Sequence, residues 1–146
     1  MFYQLAAGGF VSLINFGLHA LITGVVVVAA RHTAAATDDL HVFARVSALL
    51  MVTMIALLIA HNVEIAVWGV FYAWNGIETA KASPFEFAFE NYTALGYGDE
   101  LPATGFRLVG PITALNGLLL IGWSVAIIFE VMKMAEVHIA RKDSGS

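Results

Sequence analysis

Cysteine is absent from the 146 residues, which excludes disulfides and thiolate metal sites. Charge is scarce. Only 12% of residues are charged, about half of what soluble domains carry. The first charged side chain is Arg31. Proline is confined to Pro84, Pro102 and Pro111, so long helices are uninterrupted over most of the chain. The formal net charge is −4, which argues against nucleic acid as a partner. No nucleotide-binding loop or nucleophile–base pair is visible, so an enzyme is not expected. What the chain has in abundance is apolar residues, at 60%. That composition excludes an ordinary soluble domain. A helix of about 20 mostly apolar residues spans a hydrocarbon core of about 30 Å.

The apolar residues fall into three long runs, about Phe10 to Ala30, Ala44 to Trp74 and Thr104 to Val137. Each is predicted to cross a membrane as a helix. The first lacks a basic n-region and is longer than a leader's apolar core, so it is expected to be a retained transmembrane helix. A polar connector, Arg31 to His41, follows it, with Asp38 or Asp39 expected to cap the next helix. Between the second and third runs lies a segment too short to span, about Ser83 to Leu101. It opens on Ser83-Pro84-Phe85-Glu86, a capping box with proline at the first helical position. A short helix should start there and end near Thr93. A half-helix followed by glycine-bearing irregular backbone predicts a re-entrant loop, buried in protein or lining a water-filled path.

Arg31, Arg45, Lys133, Arg141 and Lys142 lie on one side of this topology, Lys81 and Arg107 on the other. The positive-inside rule then puts the C-terminus and first connector in the cytoplasm, with the N-terminus and the loop outside the cell membrane. Glu78, Glu86, Glu90, Asp99 and Glu100 would make an acidic outer mouth that concentrates cations.

After the short helix comes Thr93-Ala94-Leu95-Gly96-Tyr97-Gly98-Asp99. A path that strips water from a cation must supply oxygens around it, and one backbone strand offers a column of carbonyls. Inward-pointing carbonyls in succession require unusual dihedrals at alternate residues, which glycine adopts freely. With one loop per chain, a ring of oxygens requires several chains about an axis. The Gly96-Tyr97-Gly98-Asp99 stretch, set between a capped short helix and a long apolar one, resembles the pore-loop potassium channels, especially bacterial ones with two membrane helices around the pore. Pro102 and Thr104 match the residues that commonly follow the family's aspartate.

The resemblance covers roughly Ala44 to Val137, with the first helix as an addition. It implies an all-α membrane protein organised as an N-terminal helix and connector over 1–43, a pore domain over 44–137 and a short cytoplasmic tail over 138–146. It further implies a homotetramer in membrane lipid that conducts monovalent cations. Potassium, the permeant ion, would be held by the carbonyls of Ala94, Leu95, Gly96 and Tyr97, flanked by Thr93 and Gly98. No organic cofactor is implied. Gly117 stands about where the family's inner helix has its hinge glycine, and Gly122 repeats it. Glu90 matches a glutamate that in some members pairs behind the filter with the aspartate matched by Asp99. Such a pair should share a proton or a water; the alternative is a Glu90 that faces the outer vestibule.

The chain departs from the family pattern at Ala94, where threonine is usual, and at Leu95, where valine or isoleucine is usual. Alanine keeps a carbonyl and loses a hydroxyl, so one layer of oxygens at the cytoplasmic end of the filter is lost. That leaves a weakly selective cation channel as the rival within the class. A non-conducting or transport-accessory subunit is the rival outside it.

Several polar residues interrupt the apolar runs. His61 and Glu64 share a helix face. Ionisable groups inside a membrane are costly and mark function by default. Proton sensing is one reading, and a hydrogen-bonded pair that joins helices is the plainer one. Two residues are too few for a metal site unless another helix adds ligands, and His19 is the candidate contributor. Asn15 and Asn116 are expected to make interhelical hydrogen bonds. Pro111 should bend the third helix or mark a late start. The first helix has no arginine ladder, so no charged voltage sensor is expected.

Overall fold

The structure is a computed structural model that describes residues 1–96, 102 and 105–143, with side chains described to 135. Among the described residues it is all-helical. The order is α1 (Phe2–Ala36), α2 (Val42–Asn75), α3 (Pro84–Tyr92) and α4 (Val109–Asp143). Three of these, α1, α2 and α4, are long and apolar enough to cross a membrane. Only 22%, 22% and 33% of their apolar windows are buried, so most of each window faces outward, toward lipid or another chain.

The long helices overrun the apolar runs at nearly every end. α1 has 35 residues, about 52 Å of helix, where the bilayer core needs about 30 Å. Alanine-rich ends such as Ala34–Ala36 keep helical propensity after hydropathy has dropped. α4 differs in the other direction at its start, Val109 against the expected Thr104. Gly105 has φ +93°, which ends any helical path there, and Pro111 fits only within the first turn. Pro111 therefore marks a late start.

The cap of α2 is a correction. Asp38 and Asp39 do not cap it. His41 does, accepting from the Phe43 N–H at 3.3 Å through Nδ1 and from the Arg45 N–H at 3.1 Å through its carbonyl. Asp38 instead pairs with the Arg45 guanidinium at 2.6 Å. At the other end of α2, Gly76 has φ +61°. Its N–H donates to the Ala73 carbonyl and the Ile77 N–H to the Tyr72 carbonyl. This is a Schellman cap, closed by apolar packing of Ile77 and Tyr72, both buried in one core.

α3 has nine residues and begins as the sequence foretold. Ser83 accepts from the Glu86 N–H, and the Glu86 carboxylate accepts from the Ser83 N–H at 2.8 Å. Hydrogen bonds from the Ser83 side chain and backbone hold the Glu86 carboxyl below its usual range. The box is therefore complete above the ordinary carboxylate range and opens as pH falls through the lowered folded value.

The chain divides into two compact units. One comprises Met1–His19 and His61–Gly122. Its core joins Val11, Ile65, Trp68, Tyr72, Ile77, Phe87, Ala88, Tyr92, Val109 and Leu120. The other comprises Ala20–Ala60 and Trp123–Ser146, with apolar clusters around Leu49 and Val131 and around Leu57 and Ile127.

Two glycines of the first unit are set by close approach. A Cβ at Gly117 would lie 2.0 Å from the Tyr92 carbonyl oxygen, and one at Gly69 would lie 2.2 Å from the Phe85 ring. Gly122 has open space around it. Gly117→Ala should therefore destabilise by about 1–3 kcal/mol through overpacking. Gly122→Ala should be neutral or stabilising by up to about 1 kcal/mol. Thermal unfolding in detergent reads both, and equal effects would remove the distinction.

Candidate functional site

The site starts at the C-terminus of α3. Thr93 is the cap residue, with φ −82° and ψ −4°. The Ala94 N–H donates to the Asn91 carbonyl at 3.0 Å and the Leu95 N–H to the Glu90 carbonyl at 3.0 Å. That pattern is a second Schellman cap, and its left-handed position falls on Ala94, with φ +55°. Alanine there carries a Cβ penalty that glycine does not. Gly96 is also left-handed, at φ +59°. Positive φ thus recurs at alternate residues, with Leu95 between them. The Thr93 hydroxyl turns back to the Phe89 carbonyl at 2.9 Å.

Of the sequence-derived filter, Thr93, Ala94, Leu95 and Gly96 are described, while Tyr97, Gly98 and Asp99 lie outside the described residues, as does Thr104. The Glu90–Asp99 pairing falls outside them for the same reason. Glu90 is half-buried and borders an open cleft of about 390 Å³, lined also by Lys81, Glu86, Phe89 and Leu95.

The polar residues behind this segment converge. His19 of α1 reaches the Glu64 carboxyl, Nδ1 to Oε1, at 2.7 Å. His61 Nδ1 lies 3.1 Å from the other oxygen, Oε2, and 2.8 Å from the Tyr92 hydroxyl. The Tyr92 hydroxyl itself donates to Glu64 Oε2. His19 and Glu64 have no exposed surface. Three helices, α1, α2 and α3, therefore meet at one carboxyl group. Tyr92 is the last residue of α3 and stands next to Thr93.

A second polar group supports the first. Asn15 Nδ2 donates to the Glu64 carbonyl at 3.2 Å and to Asn116 Oδ1 at 3.1 Å. Trp68 Nε1 donates to the same Asn116 oxygen at 2.9 Å. The interhelical bond expected of Asn15 and Asn116 is direct. Tyr72 and Thr113 pair through their hydroxyls at 2.9 Å. Sequence reasoning singled out His61 and Glu64 and weighed His19, but it missed Tyr92, Trp68, Tyr72 and Thr113. A usable signal was spacing. Asn15 and His19 are four apart, His61, Glu64 and Trp68 follow i, i+3, i+7, and Thr113 and Asn116 are three apart.

A family model described as "Ion channel" matches residues 59–134, more than half of the chain. The chain belongs to this ion-channel family. The match takes in the second half of α2, all of α3, the segment that follows it and α4 to Met134. Comparison with curated proteins and with solved structures gives no match. With three apolar helices, this channel is a multi-pass membrane protein, and its family is one of channels rather than enzymes.

Tyr92→Phe removes the hydroxyl that Glu64 and His61 share. It should cost about 1–3 kcal/mol, because a buried polar group loses a partner. Ala94→Gly should stabilise by about 1 kcal/mol by relieving the left-handed alanine. Thermal melts of the purified channel test both. A neutral Tyr92→Phe would mean that the hydroxyl does not hold α3 in place.

Proposed function

We propose that this channel conducts potassium passively, as a homotetramer, through the backbone oxygens of the Thr93–Gly98 segment. The carrying observation is the left-handed backbone at Ala94 and Gly96, directly after the α3 cap, in a chain of the ion-channel family. Alternation of that kind turns successive carbonyls toward one side, which a dehydrated alkali ion requires. In this reading the carbonyls of Ala94, Leu95, Gly96 and Tyr97 bind the ion. Four copies close each ring, since one chain supplies one strand. α3 is then the pore helix of a re-entrant loop, and Asp99 with Glu90 supports the filter from behind.

The surface of α4 agrees with assembly. Leu115, Leu118 and Leu119 are 60%, 55% and 53% exposed in the single chain. The pore domain is read as 44–137, preceded by the helix and connector of 1–43 and followed by a tail, 138–146. The N-terminus lies outside and the C-terminus in the cytoplasm, on the distribution of lysine and arginine. Gly117 and Gly122 are the candidate bending points of α4. Bending at Gly117 has to break its contact with the Tyr92 carbonyl, so Gly122 is the freer of the two.

A second reading has a specific basis. Ala94 lacks the hydroxyl that the family's threonine brings to the innermost ion site, which favours weaker discrimination between potassium and sodium. Purified channel in liposomes, with a potassium gradient opposed by sodium, separates the readings. A reversal potential near the potassium equilibrium value supports selectivity, and one near zero supports the weakly selective channel. Absence of cation flux from reconstituted tetramers overturns both. Ala94→Thr should change potassium conductance or binding, although a β-branched residue at positive φ is strained. Unaltered single-channel currents and ion titrations would remove Ala94 from the ion path.

A further inference from the structure

The His19–His61–Glu64–Tyr92 cluster takes no part in the conduction path described above, yet it gathers ionisable side chains in the apolar interior of its unit. Its side chains come from three helices. His19 and Glu64 have no exposed surface, and Tyr92 is 1% exposed. One ligand atom from each of His19, His61 and Glu64 lies within 4.8 Å of the other two. The two Glu64 carboxyl oxygens contact these two imidazoles, Oε1 that of His19 and Oε2 that of His61.

From this geometry we infer that His19, His61 and Glu64, closed by the Tyr92 hydroxyl, form a binding site for one divalent transition-metal ion of the zinc type. The donor set is two imidazole nitrogens, a carboxylate and a phenol oxygen. Borderline ions such as zinc favour this nitrogen and oxygen mixture, whereas calcium and magnesium favour oxygen alone. Zinc holds imidazole nitrogen at about 2.0–2.1 Å and carboxylate oxygen at about 2.0–2.2 Å, so tetrahedral ligand atoms stand roughly 3.3–3.5 Å apart. At present His19 meets Oε1 of Glu64 at 2.7 Å and His61 meets Oε2 at 3.1 Å, so each imidazole must draw back from its own carboxylate oxygen to admit the ion. A divalent ion also compensates the carboxylate charge, which is expensive to bury alone.

Two further features fit a site rather than mere packing. Asn15 anchors the backbone of Glu64 through its carbonyl, which steadies the ligand-bearing turn. The His61 side chain retains 19% of its exposure, which gives the ion an entry path. Bound there, the ion ties α1 and α2 to the last residue of α3. The inference stands independently of the ion that the channel conducts.

The test uses purified full-length channel in detergent, stripped with a chelator and titrated with Zn²⁺ and, separately, Co²⁺. The expected result is one ion per chain by elemental analysis, with the visible spectrum of four-coordinate Co²⁺. A variant lacking the other histidines (His32→Ala, His41→Ala, His138→Ala) should bind as the wild type does. His19→Asn and His61→Asn should each weaken binding by at least roughly tenfold. Zinc-edge X-ray absorption of the loaded wild type needs no variant and should show scattering from two imidazoles, which keeps the test decisive even if a substituted chain fails to assemble. The inference is overturned by a wild type without stoichiometric binding, by a zinc spectrum without histidine, or by folded His19→Asn and His61→Asn variants that bind unchanged.

Discussion

A carboxyl group that has lost all contact with water must be given polar partners, and Glu64 draws its partners from three helices. Burying it unpaired would cost more than most single contacts contribute. His19, His61 and Tyr92 answer that demand; His61 does so from the same helix, while His19 brings α1 and Tyr92 brings α3. Apolar packing between helices has little direction in lipid, where the surroundings are as oily as the side chains. Hydrogen bonds do have direction. The polar layers of Glu64 with its partners and of Asn116 with Asn15 and Trp68 therefore specify which faces of α1, α2, α3 and α4 meet in the first unit.

Much of this was legible from local chemistry. Ser83-Pro84-Phe85-Glu86 names its own helix start, because each residue type serves one orphaned backbone group. Pro111 had either to bend the third helix or to mark a late start, and the start at Val109 is the outcome. Where sequence reasoning faltered, the deciding interaction was tertiary or depended on competition. Asp38 had the right chemistry to cap α2, but Arg45 offered a full charge at 2.6 Å and left the cap to His41. Hydropathy marked the lengths that lipid requires, not the lengths over which helix propensity persists, so α1 ran past both predicted ends.

The functional residues divide in the same way. The Thr93–Gly98 motif on which the proposal rests stands out in the sequence because backbone chemistry is local to a few letters. The cluster behind it was legible only in part: helix spacing paired His61 with Glu64 and His19 could be named as a candidate, but nothing in the letters places position 19 against position 64. Tyr92 was overlooked beside its more familiar neighbours. Its two roles emerge only in three dimensions, with a hydroxyl on Glu64 and a carbonyl against Gly117.

α3 is too short to keep its own shape in isolation. It is gripped at both ends where a methyl group is missing: the Phe85 ring seats on Gly69, and the Tyr92 carbonyl seats on Gly117. Steric registry of this kind is not screened by dissolved ions, unlike attraction between charges. Beside the hydrogen bond to Glu64, the short helix thus has a mechanical hold, two notches that should keep their grip in brine as in dilute buffer.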